Sequence, residues 1–303
     1  MLDNLLNVPP AVMPTVVIPM AADPDIIGAI GEAVKRHLAR FILIGNKNAI
    51  CALADQYGED ISGSEFVEET DGGQACTLAA QLVHSGRAQV LMKGLVHTAT
   101  FSKAFLNREF GLVEATSLVS HIAVFELPSY HKPLLITDAA LNITPSVAAK
   151  KCILTNAVKY AVSLGIDQPK VACIAAVEKV NPRIISTTDA AALKTAGEAG
   201  EFAPAIVDGP YGLDVAISKD AAETKGVHNP VAGDADILLM PALDAANVLY
   251  KTLSNFTDCR IGCSIAGAKV PIVLTSRADT EETRLLSLAL AVRLSQGSGS
   301  VLH

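Results

Sequence analysis

Short runs of β-branched and aliphatic residues alternate along the chain with longer segments rich in alanine and leucine. Short apolar runs bounded by turn residues are typical of buried strands, and the longer segments are typical of helices. This pattern predicts strands over residues 15–19, 41–45, 88–92, 117–127, 133–137, 170–176, 205–207, 236–240 and 270–275. It predicts helices over 24–38, 47–57, 74–86, 99–110, 145–164, 187–199, about 214–223, 242–254 and about 279–295.

The alternation of strands with helices predicts an α/β fold with mainly parallel sheets and right-handed crossovers. Boundary signals support the helices: Asp23 can cap a helix that Pro24 opens, while Pro145 and Gly165 can open and close the long central helix. The segment 138–145, between a strand and that helix, is the best candidate for a domain boundary. We expect two α/β domains, with 1–138 plus 279–303 in the first and 139–278 in the second.

The composition agrees with a layered α/β protein. Half of the residues are hydrophobic, and tryptophan is absent, so aliphatic side chains must build the core. The formal net charge of −7, without a basic block, argues against nucleic-acid binding. The N-terminus has no signal-peptide pattern, and no run of about 18 apolar residues predicts a membrane helix. We therefore expect a soluble cytoplasmic protein.

The six cysteines are scattered and form no CxxC pair. Cys259 and Cys263 have no nearby histidine, so the sequence predicts reduced cysteines and no metal site.

Candidate ligand-binding residues adjoin the predicted strands, because open α/β sheets bind ligands beyond the carboxyl ends of their strands. Strand 88–92 leads into Lys93, Gly94, His97 and Thr98, where a lysine charge and free N–H groups of a helix start can hold an anion. The alternative interpretation is a surface lysine and a turn glycine.

Three further groups of polar and turn-forming residues adjoin predicted strands, although ordinary turn and capping chemistry also explains them. They are Asp138 and Asn142 after strand 133–137, Asp208, Gly209 and Pro210 after strand 205–207, and Pro230, Gly233 and Asp234 before strand 236–240.

Ser276, Arg277 and Asp279 follow the last predicted strand. Arginine binds phosphate or carboxylate through paired hydrogen bonds, and serine can donate to charge that develops on a carbonyl oxygen. A capped helix start with a surface ion pair is the alternative. The chain has no P-loop, no GxGxxG after its first strand and no GxSxG nucleophile elbow.

Taken in order, several segments resemble the phosphate acetyl/butyryltransferases over roughly residues 15–296. They are LMKGLVHTATFSKAFLN, SHIAVF, DAALNITP, DGPYGLDVAIS, NPVAGDADILLMPALDAANVLYK and LTSRADTEE. The MKG and SRAD segments are more similar to the butyryl and branched-chain branch than to the acetyl branch.

The resemblance implies an acyltransferase that converts acyl-CoA and phosphate to acyl phosphate and CoA, with no tightly bound cofactor and no covalent acyl-enzyme. It implies two domains with the active cleft between them, as in isopropylmalate dehydrogenases, and a homodimer or higher homo-oligomer. It also implies that Arg277 neutralises phosphate and that Ser276 hydrogen-bonds the reacting group.

The general base is the point at which the chain departs from the family pattern. Some acetyl-type members carry a catalytic aspartate shortly after the Ser-Arg pair, but counting without gaps reaches Thr283 here. Asp279, Glu281 and Glu282 are the nearby carboxylates, and we predict a catalytic role for Asp279 and Glu282.

Three alternatives remain open at this point. The first is the same reaction with acetyl as the preferred group, since a pocket distinguishes one methylene by only about 1–3 kcal/mol. The second is a catalytically weak CoA-binding protein. The third is a decarboxylating dehydrogenase, in which Asp234 and Asp236 would bind a metal, although no dinucleotide fingerprint accompanies them. The sequence also leaves open the preferred acyl chain, the physiological direction of the reaction and the size of the oligomer. It does not show whether a separate acyl kinase consumes the product.

Overall fold

A computed structural model of the chain describes residues 2–114, 117–276 and 279–296. Its strands are β1 Thr15–Pro19, β2 Arg40–Ile44, β3 Glu65–Val67, β4 Val90–Met92, β5 Ser120–Glu126, β6 Leu134–Thr137, β7 Lys170–Ile174, β8 Ile206–Tyr211, β9 Ile237–Leu239, β10 Arg260–Ala266 and β11 Ile272–Val273. Its helices are α1 Leu2–Asn7, α2 Pro24–Lys35, α3 Lys47–Tyr57, α4 Gly72–His84, α5 Thr98–Phe105, α6 Val147–Ser163, α7 Ile185–Glu198, α8 Leu213–Ile217, α9 Lys219–Thr224, α10 Leu243–Phe256 and α11 Glu281–Ser295.

The chain divides into two compact units. Unit 1 combines the described residues within Met1–Ser117 and Gly262–Val301, and unit 2 is Leu118–Ile261. In the described part of the chain, no helix combines the length and the apolar composition that a bilayer crossing needs.

Unit 1 contains a parallel sheet with the strand order β3-β2-β1-β4-β11. Its central strands are almost wholly apolar and buried, as a sheet covered by helices on both faces requires. β10 runs antiparallel to β11, with Ile265 opposite Ile272. The carboxyl ends of β1, β4 and β11 therefore lie along one edge.

Unit 2 contains strands in the order β5-β6-β9-β7-β8. β6, β9, β7 and β8 are parallel, and β5 is antiparallel to β6, with Ile122 opposite Thr137. The carboxyl ends of the four parallel strands again share one edge of the sheet. The prediction of an α/β fold with mainly parallel sheets is confirmed.

Local sequence signals explain most element boundaries. Asp23 caps α2 by accepting a 3.2 Å hydrogen bond from the Ile26 N–H, and Pro24 is the first residue of that helix. The long helix that Pro145 was predicted to open, α6, begins at Val147 with Ser146 as its cap. Three elements were missed: α1, the short edge strand β3, and β10, in which Gly262 and Ser264 interrupt the apolar run.

One site prediction needs a correction in its local structure. Asp208, Gly209 and Pro210 were placed after a strand, but they lie inside β8, which continues to Tyr211. Their turn-like composition masked an edge strand, a position that tolerates proline.

The hairpin β5–β6, which we assigned to the first domain, belongs to unit 2, where β6 pairs with β9. The domain limits, the cleft between domains and the isopropylmalate dehydrogenase-like arrangement remain predictions.

Candidate active-site residues

Lys93 lies at the carboxyl end of β4, beside the end of β11. Its N–H donates to the Val273 carbonyl at 3.0 Å, so the strand that carries Lys93 is aligned with the one that leads to Ser276. The Lys93 side chain is only 5% exposed, and its Nζ donates to the Gly94 carbonyl at 3.3 Å. A buried ammonium at the carboxyl-end edge of a parallel sheet is a candidate group for holding an anion.

Gly94 is required by the close approach of two backbone segments. A Cβ atom at this position would lie 2.0 Å from the Pro19 carbonyl oxygen and 2.5 Å from that of Met20. The Leu95 N–H donates to the same Met20 carbonyl at 2.7 Å. The segment after β4 is therefore pressed against the end of β1, and only glycine fits there.

His97 and Thr98 stand at the start of α5, and both are exposed. The structure therefore brings Lys93, Gly94, His97 and Thr98 to one edge of the unit 1 sheet, with the lysine buried and the helix start accessible. Whether this edge binds substrate stays a prediction.

Ser276 and Asp279, which follow β11, are hydrogen-bonded to each other. The Ser276 N–H donates a 2.6 Å hydrogen bond to Asp279 Oδ2, and the Asp279 N–H donates to the Ser276 carbonyl at 3.3 Å. The Asp279 carboxylate thus fixes the backbone that presents Ser276. Arg277, between them, lies outside the described residues. Glu282 is exposed in the first turn of α11.

Arg284 is a buried anchor that the sequence analysis missed. It is 4% exposed, and its Nε donates to the Asp279 carbonyl at 3.3 Å. Its Nη atoms lie 3.6 Å from Asp23 and 3.4 Å from Asp25, at the start of α2. Arg284 therefore ties the turn after β11 to α2. The available signal was an arginine directly before the apolar run LLSLALAV.

Cys76, on α4, lies within electrostatic reach of Lys93. Burial raises the pKa of the Cys76 thiol to about 11, although the Lys93 charge acts in the opposite direction. In unit 2, burial raises the pKa of Cys173 to about 12, and the negative charge of Asp208 adds to the effect. Both thiols are protonated at neutral pH and are therefore poor nucleophiles.

Asp138 and Asn142 meet at the carboxyl end of β6. The Asp138 carboxylate accepts the N–H groups of Ala140 at 2.9 Å, Leu141 at 3.0 Å and Asn142 at 3.3 Å. It also accepts Asn142 Nδ2 at 2.5 Å, and that amide donates to the Val119 carbonyl at 3.0 Å. The two residues therefore close the loop after β6, as turn chemistry predicts.

Asp208 and Gly209 lie on β8, at the edge of the unit 2 sheet. The Asp208 carboxylate accepts the Gly209 N–H at 2.7 Å and pairs with the Lys194 ammonium at 2.8 Å. A Cβ atom on Gly209 would lie 2.7 Å from the Cys173 carbonyl oxygen. Close strand packing therefore accounts for the glycine, which precedes Pro210 in the strand.

Asp234 lies at the opposite edge of the unit 2 sheet, before β9. It pairs with Lys170, with Lys132 at 3.0 Å and with His131 at 2.7 Å. Burial would raise the pKa of Asp234, but the hydrogen bonds from Lys170, Lys132 and His131 outweigh it and hold the pKa well below its usual range. The structure does not bring Asp234 together with Asp138.

Pro230 and Gly233 belong to the loop that leads to Asp234. The Asn229 side chain closes this loop by accepting the N–H groups of Val231 and Ala232. Gly233 has a φ of +71° and lies against the Lys219 backbone, so it serves the loop conformation.

Lys150 and Asp189 form a buried ion pair that the sequence analysis also missed. Lys150 Nζ lies 2.6 Å from Asp189 Oδ2 and joins α6 to α7. A small cavity beside the pair is lined by Cys173, Ser186 and Met240. Among the described residues, no group of three or more histidine, cysteine, aspartate or glutamate side chains is placed to hold a metal ion.

Comparison with known proteins identifies similar chains. The model of the family described as "Phosphate acetyl/butaryl transferase" matches residues 70–292. Phosphate butyryltransferase of Clostridium acetobutylicum is 43% identical over 92% of this chain and 92% of its own length. Phosphate acetyltransferase of Thermotoga maritima is 35% identical over 89% of this chain and 92% of its own.

This chain is also similar to a solved structure. A branched-chain phosphotransacylase from Enterococcus faecalis V583 superposes with a TM-score of 0.84 and is 35% identical. The match covers 94% of this chain and all of that one.

Proposed function

The chain belongs to the phosphate acetyl/butyryl transferase family, and on that premise we propose that it transfers a short acyl group between coenzyme A and inorganic phosphate. The alignment of Lys93 with the strand that leads to Ser276, through the hydrogen bond to Val273, supports this proposal most directly. This hydrogen bond supports the proposal that the buried Lys93 ammonium and Ser276 serve one site at the edge of unit 1.

In the proposed reaction, a phosphate oxygen attacks the carbonyl carbon of the acyl thioester. A C–O bond forms, the C–S bond breaks, and the CoA thiolate leaves and takes up a proton. Arg277 and Lys93 neutralise phosphate, and Ser276 donates a hydrogen bond to charge that develops in the transition state. The raised pKa of Cys76, the thiol within electrostatic reach of Lys93, makes this cysteine a poor nucleophile, in keeping with direct transfer.

The carboxylates have different proposed roles. Asp279 positions Ser276, because its carboxylate already accepts the Ser276 N–H. Glu282 is exposed in the next helix turn and is the proposed base that takes the thiol proton in the reverse direction. A thiol with a pKa of about 8.5 needs little help, so such a base contributes at most about 10²–10⁴-fold.

We propose butyryl or a branched short chain as the preferred acyl group. Two relatives named phosphate butyryltransferase are 43% and 45% identical, whereas two named phosphate acetyltransferase are 35% and 37% identical. Acetyl remains the second candidate, because one methylene changes binding by only about 1–3 kcal/mol. CoA and phosphate act as exchanging substrates, and the protein acts as a homodimer or higher homo-oligomer. The six free cysteines favour a cytoplasmic location.

The test follows free thiol released from butyryl-CoA with and without inorganic phosphate, and then with acetyl- and isobutyryl-CoA. We expect release that requires phosphate and is fastest with the four-carbon chains. Lys93→Met should raise the KM for phosphate, whereas the matched control Lys103→Met, on the exposed face of α5, should leave it unchanged. Release that ignores phosphate would point to a thioesterase, and no release from any acyl-CoA would support the CoA-binding alternative.

A further inference from the structure

Arg284 has an unusual environment for an arginine. It lies in the first turn of α11 and, among the residues that the structure describes, it is the only arginine that is buried. Burying a guanidinium is costly unless its charge and its N–H groups find partners. The planar group carries several donors in a fixed arrangement, so it can hold separate acceptors at set distances from one another. A buried arginine is therefore suited to fixing one chain segment against another.

The guanidinium of Arg284 contacts two segments that are distant in sequence. Its Nε donates to the Asp279 carbonyl at 3.3 Å. Its Nη atoms lie 3.6 Å from Asp23 Oδ1 and 3.4 Å from Asp25 Oδ2. Asp23 also caps α2 by accepting the Ile26 N–H, so the start of this helix sets the place of the Asp23 carboxylate. Arg284 therefore fixes the backbone of Asp279 relative to α2.

The connection continues from Asp279 to Ser276. Oδ2 of Asp279 accepts the Ser276 N–H at 2.6 Å. Arg284 and Ser276 thus contact the same aspartate, one through its backbone carbonyl and the other through its carboxylate. A shift of the Asp279 backbone would displace this carboxylate and with it the backbone of Ser276. Displacing a reacting group by about 1 Å can cost about a hundredfold in rate.

We propose that Arg284 is a positioning residue for acyl transfer, and that it sets the place of Ser276 through Asp279. This inference rests on the proposed function, in which Ser276 donates a hydrogen bond to charge that develops in the transition state. Arg284 itself makes no contact with substrate, because its guanidinium is buried against Asp279, Asp23 and Asp25. Loss of the guanidinium should therefore lower kcat and leave the KM for acyl-CoA nearly unchanged.

The first test measures phosphate-dependent release of thiol by three variants. Arg284→Met removes the guanidinium and should lower kcat about ten- to a hundredfold. Arg284→Lys keeps a charge that faces Asp23 but cannot also hold the Asp279 carbonyl in the same geometry, so its kcat should be intermediate. Asp23→Asn still caps α2 without the negative charge and should lower kcat by less. Arg36→Met removes a solvent-accessible ion pair with Glu32 and is the matched control, which should keep the wild-type kcat.

Hydrogen exchange at the Ser276 amide is a second test, and it does not depend on activity. The hydrogen bond to Asp279 protects this amide in the wild-type protein. Arg284→Met should accelerate its exchange about tenfold or more, whereas Arg36→Met should leave the exchange rate unchanged. Urea unfolding of each variant identifies conditions under which all of them are folded, and both tests are made under those conditions.

The outcomes separate this inference from the proposed function. A wild-type protein that releases no thiol from any acyl-CoA in the presence of phosphate overturns the proposed function, and the inference with it. An active wild type beside a folded Arg284→Met protein of unchanged kcat overturns the inference alone, even if that variant is less stable. So does a raised KM for acyl-CoA at unchanged kcat, or a Ser276 amide whose exchange Arg284→Met leaves unaltered. A lower kcat with faster exchange, partly recovered in Arg284→Lys, supports it.

Discussion

The backbone N–H of Ser276 donates a 2.6 Å hydrogen bond to the carboxylate of Asp279, three residues further along the chain. This bond fixes the turn between β11 and α11, and Arg284 holds the same turn from the other side through the Asp279 carbonyl. The carboxylate is therefore occupied in positioning the serine. Hydrogen bonds to charged groups contribute about 1.5–3 kcal/mol, enough to matter for a side chain that must meet a transition state.

The positioning role predicts different effects for two substitutions of Asp279. Asp279→Asn keeps an oxygen acceptor for the Ser276 N–H and should retain most of kcat. Asp279→Ala removes the acceptor and should lower kcat by about ten- to a hundredfold. Steady-state kinetics across a pH range checks both. If Asp279 were the base, the Asn variant would lose as much activity as Ala, and the acidic limb of its pH profile would disappear.

Arg277 should matter more for activity than any single carboxylate near it. Arg277→Ala removes the proposed partner of phosphate and should lower kcat/KM for phosphate more than Glu282→Gln does. The initial rate at varied phosphate concentration measures both effects, and Glu281→Gln, exposed beside Glu282, is the control. Near-normal turnover of Arg277→Ala would remove this residue from the proposed mechanism.

Gly94→Ala should destabilise the protein strongly. The new Cβ would lie 2.0 Å from the Pro19 carbonyl oxygen, so the backbone must move, and overpacking of this kind costs about 1–3 kcal/mol or more. The control is Gly63→Ala, because Gly63 has open space where a Cβ would be placed. The free energy of unfolding in urea should fall for the first variant and stay within about 0.5 kcal/mol for the second. Equal losses of unfolding free energy in the two variants would show that the close approach of Gly94 to Pro19 does not determine stability.

The buried pair Lys150–Asp189 should be sensitive to the loss of one partner. Asp189→Ala leaves a buried ammonium without its counter-charge and should cost about 3–5 kcal/mol. The neighbouring Lys151–Glu201 pair is much more exposed, so Lys151→Met should cost about 0–1 kcal/mol. Urea unfolding of the two variants gives the comparison, and a small loss for Asp189→Ala would indicate that water reaches Lys150.

Asp234 should make stability depend on pH in the acidic range. Its pKa is lowered in the folded protein, so its contribution is complete above the unfolded pKa of about 4 and is lost as the pH falls towards the folded value. The difference in unfolding free energy between wild type and Asp234→Asn should therefore be constant above about pH 5 and shrink below about pH 4. A free-energy difference that grows on acidification would contradict a lowered pKa for Asp234 in the folded protein.

Elements with long apolar runs were predictable from the sequence, and elements defined by distant partners were not. β1 and β2 are continuous aliphatic runs, whereas β10 contains Gly262 and Ser264 and is recognisable mainly through its pairing with β11. The predicted helix over 214–223 is two short helices, because Ser218 ends α8 and caps α9.

In the candidate site, too, features that depend on residues distant in sequence could not be predicted. The rule that ligands bind beyond strand ends placed Lys93 and Ser276 at one edge, and the hydrogen bond from Lys93 to Val273 agrees with it. The rule could not show that Asp234 is held by Lys132 and Lys170, which lie far from it in sequence. Arg284 was missed for the same reason, since its acidic partners at 23 and 25 are more than 250 residues away.

Unit 1 is assembled from the two ends of the described chain, with β11 against β4 and α11 against α2, whereas unit 2 is one continuous segment. During synthesis on the ribosome, unit 2 has its whole sequence available once residue 261 has emerged. The amino-terminal half of unit 1, although made first, must wait for α11 before its sheet and its Arg284 anchor can be completed. The segment of unit 1 that precedes unit 2 in the sequence can therefore complete its fold only after all of unit 2 has been synthesised.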